Sequence, residues 1–94
     1  MKLDDLLTIL EARKEEAPEG SYTARLIAAG DDEILKKVGE ETMEVILAAK
    51  GQGNQRLIEE VADLFYHTLV LLVARDLSLT DVEEELAQRH KPSD

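Results

Sequence analysis

Residues 57–72 read LIEEVADLFYHTLVLL. Without Glu59, Glu60, Asp63 and His67 the stretch is an almost unbroken apolar helix. Acids are costly on a helix ready for burial unless something neutralises them. From Leu64 to Ala74 apolar positions cover nearly the whole circumference at ~3.6 residues per turn. One small chain can hardly cover such a helix. The stretch therefore predicts an all-α fold completed by association with a second subunit.

The segments on either side read as helices too. Leu3, Leu6, Leu7 and Leu10 form one stripe of a first helix running from about Leu3 to Lys14. Pro18 and Gly20 oppose its continuation. Ser21 can cap a short second helix that stops at Gly30. Asp31 is expected to cap a third helix reaching about Lys50, with Asp31, Asp32 and Glu33 at the positive end of its dipole. Gly51 to Asn54 is a tight connection, so the fourth helix, about Gln55 to Arg75, should run antiparallel to the third. Thr80 and Glu83 have the spacing of a capping box for a last helix ending near His90. Lys91 to Asp94 is expected to fray. The expectation is a single domain over 1–94, a small bundle of four to five helices per chain.

Bulk properties narrow the function. Ninety-four residues bury a modest core, another reason to expect a homodimer. The 21 acids against 11 bases give a net charge of −10, which argues against contact with nucleic-acid backbones. Two Tyr, one Phe and no Trp offer no stacking platform for single strands. There is no Cys, which excludes disulfides and thiolate metal sites and is compatible with a cytoplasmic setting. The acidic start MKLDDLLTIL lacks the basic opening of a signal peptide. No apolar run approaches the ~20 residues of a membrane span.

The acids are spaced for one face. Glu60 and Asp63 are three apart in the fourth helix, with His67 between them in angle one turn on. Glu41 and Glu44 are three apart in the third, with Lys37 on the same stripe and Glu40 at its edge. An antiparallel pair can bring the two faces together. Carboxylates converging in a low-dielectric groove must either stay protonated or hold a cation. All-oxygen ligands select Mg²⁺ or Mn²⁺ over zinc. An acidic pair alone is more often a hydrated surface; it is the second pair, on the most apolar helix, that points to a metal.

These motifs resemble a known family. Glu40, Glu41 and Glu44 followed by Glu60 and Asp63 resemble the all-α nucleoside-triphosphate pyrophosphatases of the MazG type. KKVGEETMEVILAAK (36–50), EEVADLFYHTLVLL (59–72) and SYTARL (21–26) resemble, within it, the phosphoribosyl-ATP pyrophosphatases of histidine biosynthesis. The resemblance implies a helical homodimer that hydrolyses phosphoribosyl-ATP to phosphoribosyl-AMP and pyrophosphate with Mg²⁺. It implies Glu41, Glu44, Glu60 and Asp63 as metal ligands and Glu40 as a ligand or a base for water.

Other positions keep two readings. Lys37 is placed for a phosphate contact or for an i,i+4 pair with Glu41. Lys36, Arg25 and Lys50 are further basic candidates, or plain surface charges. His67 can bind phosphate, contact a ligating carboxylate, or be a satisfied semi-buried histidine. Ser21, Tyr22 and Thr23 can meet substrate at a helix start, or simply cap it. Gly39, mid-helix, predicts close helix packing or room for substrate. Three rival functions remain: a house-cleaning nucleotide pyrophosphatase of the same superfamily, a di-iron bundle, and a non-catalytic acidic adaptor. The di-iron class uses Glu-x-x-His, a spacing that His67, four beyond Asp63, does not keep.

Overall fold

The computed structural model describes residues 1–92. They form five helices and, among the described residues, no strand: α1 (Leu3–Glu16), α2 (Tyr22–Ala29), α3 (Asp31–Gly51), α4 (Asn54–Ala74) and α5 (Leu79–Arg89). Of the segment expected to fray, Ser93 and Asp94 lie outside the described residues.

The expected punctuation holds at most boundaries and shifts at three. Helix α1 runs to Glu16, past the expected Lys14, and closes through Ala17 in the left-handed region (φ 44°). Ser21 caps α2 by accepting a hydrogen bond from the Ala24 amide at 3.1 Å. Asp31, expected as the cap of α3, is its first helical residue; Gly30, at φ 102°, holds the cap position. The Asp31 carboxylate instead accepts from the Arg75 guanidinium at 2.8 Å and so ties the start of α3 to the end of α4. The last helix begins earlier than Thr80. Ser78, in extended backbone, accepts from the Asp81 amide, and the Asp81 carboxylate accepts from the Ser78 amide at 2.9 Å. This reciprocal pair outcompetes the Thr80–Glu83 spacing and draws Leu79 and Thr80 into the first turn.

The short connection Gln52–Gly53 folds α4 back along α3, and these two helices share the most extensive contact in the chain. Leu7 and Leu10 of α1, Leu26 of α2, Ile34 of α3, and Leu69, Val70 and Val73 of α4 make the core. Each such side chain contributes roughly 1.5–3 kcal/mol by leaving water. The core joins the start of α3 to the second half of α4. The acids lie nearer the hairpin turn. Lys14 locks α1 onto this frame: its ammonium donates to the Val73 carbonyl (3.1 Å) and the Asp76 carboxylate (2.8 Å).

Much apolar surface stays uncovered, as the apolar circumference of α4 predicts. Ile58 is 62% and Phe65 47% exposed on α4, and Met43, Ile46 and Leu47 are exposed on α3. A groove of about 420 Å³ runs past Val38, Leu64, Phe65, Leu72, Leu79 and Val82. Helix α5 buries none of its residues. Gly39 does not mark a close helix approach within this chain: a Cβ there would meet nothing within 4 Å.

Candidate metal centre

The hairpin brings three of the acids together. Glu41 of α3 and Glu60 and Asp63 of α4 each place a carboxylate oxygen within 4.8 Å of the others. The i,i+3 spacing of Glu60 and Asp63 puts both on the face that α4 turns to α3. Glu60 is 2% exposed, Glu41 is half-buried and Asp63 faces solvent. The cluster is therefore open on one side. Glu44 is not among these three; its charge acts instead on Arg56. Glu40 is exposed beside Tyr22 rather than in the cluster.

The electrostatics match crowded carboxylates. Burial, and next the negative charge of Asp63, raise the Glu41 pKa above the usual carboxylate value; Glu60 adds to this, while His67, when its ring is charged, and Lys37 oppose it. Three oxygen donors at this spacing, one of them almost wholly buried, are a donor set for a hard divalent cation. The residues present fit such an ion.

A second layer of side chains supports the acids. His67 Nδ1 lies 2.9 Å from the Asp63 carbonyl and Nε2 lies 2.9 Å from the Tyr22 hydroxyl. A carbonyl only accepts, so Nδ1 carries the proton. With the ring neutral, Nε2 then accepts from Tyr22. Burial, followed by the neighbouring charges of Tyr66, Glu41 and Glu40, raises the Tyr22 pKa and keeps that hydroxyl a donor. Nδ1 is only 3.9 Å from Glu41, a looser approach than its bond to Asp63. His67 is thus a satisfied, buried histidine that fixes the backbone of one acid and touches the edge of another. Tyr66 stacks against Tyr22, with ring centroids 6.4 Å apart, and its hydroxyl hydrogen-bonds the buried Thr23. The segment Ser21–Thr23 is thereby pinned to α4 beside the acids, with Ser21 serving as cap.

The basic candidates divide. Lys37 lies close enough to favour the ionised form of Glu41, yet makes no ion pair within 4.0 Å among the described residues. Arg25 acts on Tyr22 and so stands near the site. Lys36 is exposed. Lys50 is at the far end of α3, roughly 13 Å along the axis from Glu41 at ~1.5 Å per residue. The sequence reading missed Arg56, whose guanidinium pairs with Glu60 at 2.6 Å and Glu59 at 3.0 Å. Its i,i+4 spacing from Glu60 was the available signal. Tyr66 was missed as well, because its partner lies on another helix.

The profile of the family described as Phosphoribosyl-ATP pyrophosphohydrolase matches residues 3–90. The chain belongs to the phosphoribosyl-ATP pyrophosphohydrolase family. Relatives named Phosphoribosyl-ATP pyrophosphatase are similar over nearly all of it. The one from Leptospira biflexa is 53% identical over 90 residues, 96% of this chain and 95% of the relative. That from Listeria welshimeri is 55% identical over 87 residues, 93% of this chain and 84% of the relative. That from Clostridium botulinum is 49% identical over 89 residues, 95% and 81% respectively. For a phosphoribosyl-ATP pyrophosphohydrolase, three acids gathered on a two-helix face are a natural place to look for the reacting centre.

Proposed function

We propose that this chain hydrolyses phosphoribosyl-ATP to phosphoribosyl-AMP and pyrophosphate, the second step of histidine biosynthesis, at a Mg²⁺ site built on Glu41, Glu60 and Asp63. Its membership of the phosphoribosyl-ATP pyrophosphohydrolase family supports the reaction. The observation that carries the site is the convergence of those three carboxylates from two helices. Glu44, on the same stripe of α3, joins them as the fourth ligand. Mn²⁺ substitutes for Mg²⁺, since both are hard ions that accept oxygen donors.

The reaction breaks the anhydride between the α- and β-phosphates and adds water across it. A divalent ion at the acids would neutralise phosphate oxygens and polarise the phosphoryl group. Every other part falls to side chains. Glu40, exposed beside Tyr22 one residue before Glu41, orients the attacking water and accepts its proton. Lys37 and Arg25, with Lys36 and Lys50 further out, offset the repulsion between a polyanionic substrate and a chain of charge −10. Ser21 and Tyr22 line the substrate side at the start of α2, and the buried Thr23 supports them through its bond to Tyr66. His67 holds Tyr22 and the Asp63 backbone in place. No covalent nucleophile is required.

The uncovered face of α3 and α4 packs against a second copy to form a homodimer, and no helix among the described residues is long and apolar enough to cross a membrane. A cytoplasmic setting suits a biosynthetic enzyme without cysteine. The test is pyrophosphate release from phosphoribosyl-ATP with and without Mg²⁺. Wild type should depend on the ion, and Asp63→Asn should lose at least about a hundredfold in rate. Equal turnover of ordinary nucleoside triphosphates would favour the house-cleaning activity instead. Full activity in Asp63→Asn would remove the site.

A further inference from the structure

Glu60 is the most buried of the three acids, with 3% of its side chain exposed, and it already has a cationic partner. Arg56, one turn earlier on α4, places Nη2 at 2.6 Å from Glu60 Oε1. Its other terminal nitrogen donates to Glu59 at 3.0 Å. The charge of Glu44 also acts on the same guanidinium. Arg56 thus touches one acid of the cluster and stands near a fourth that the cluster does not include.

A buried carboxylate left without a counter-charge is strongly unfavourable. Arg56, paired with Glu60 at 2.6 Å, supplies that charge. A guanidinium held against Glu60 and a divalent ion at the same carboxylate repel each other. At about 5 Å this repulsion weakens ion binding on the order of tenfold even at the dielectric of water. Arg56 also has somewhere to go. Its side chain is 49% exposed, and Glu59, 47% exposed, holds it from the solvent side.

We propose that Arg56 is a resident counter-ion that stabilises Glu60 in the metal-free protein and competes with the divalent ion for it. The inference rests on the metal site proposed above and deepens it. Loading the ion means that the guanidinium lets go of Glu60 while Glu59 retains it. Arg56 is a positioning residue here, since it acts on the reaction through a ligand.

The experiment measures Mn²⁺ affinity by calorimetry for wild type and Arg56→Gln, with thermal melts of both metal-free proteins. Arg56→Gln should bind Mn²⁺ on the order of tenfold tighter and melt lower without metal. Unchanged or weaker affinity in a folded Arg56→Gln, with wild type binding normally, overturns the role of Arg56 and leaves the metal site standing. A wild type that binds no Mn²⁺ takes down both. A second measurement needs no variant: guanidinium ¹⁵N resonances of Arg56 should lose their hindered rotation as Mg²⁺ is titrated into wild type. Resonances unmoved at saturation contradict the release.

Discussion

At the scale of the residue, Glu41 carries a pH dependence whose direction follows from its surroundings. Burial and Asp63 raise its pKa in the folded chain, above the ordinary 4.5. The folded state then holds a proton over a range where the unfolded state has released it. Stability of the metal-free protein therefore falls as pH rises from the ordinary value through the raised one. Glu41→Gln removes that cost. Metal-free Glu41→Gln should melt above wild type at about pH 8 and match it at about pH 4, where both side chains are neutral. The same variant should lose the stabilisation that wild type gains from Mg²⁺ and about a hundredfold or more in pyrophosphate release. Glu60 and Asp63 could be read as one face from the sequence because i,i+3 spacing places side chains together on a helix; Glu41 joins them across the antiparallel hairpin, while its own i+3 partner Glu44 does not. The Tyr22–His67 bond could not, because it joins helices that only the tertiary fold brings together. Arg56 was visible as an i,i+4 partner of Glu60, yet that spacing is common on solvated helices and marks nothing alone.

At the scale of the element, helix periods and Gly or Pro punctuation made five helices legible, with boundaries a few residues off. The last start was misread because Ser78–Asp81 and Thr80–Glu83 both have the capping-box spacing. The extended backbone at Ser78 decides between them, and a string of residue types does not record it. Ser78→Ala should remove about 0.5–2 kcal/mol of local helix stability. Because no residue of α5 is fully buried, circular dichroism should show lost helicity while the main melting transition moves little. The core responds differently. Ile34 is fully buried among α1, α2 and α4 side chains, so Ile34→Ala should cost about 2–5 kcal/mol in chemical denaturation.

At the scale of the whole molecule, the apolar surface on α3 and α4 is the most consequential feature. The fourth helix announced it, since an apolar circumference on a small chain has to be covered by something. What covers it is not written in the periodicity. The proposed homodimer predicts a sedimentation mass near twice that of one chain. Phe65→Glu, placing a charge on that exposed face, should shift the mass to one chain, lower the melting temperature and remove its dependence on protein concentration. The chain is also uneven in how tightly its parts are tied. Lys14 and Arg75 fasten α1 and α3 to the end of α4, while the helix beyond Ser78 hangs on a cap and a few partly buried apolar contacts. Amide protons should grade accordingly in deuterium exchange. Those in the second half of α4 would open only with global unfolding, and those after Ser78 would exchange first.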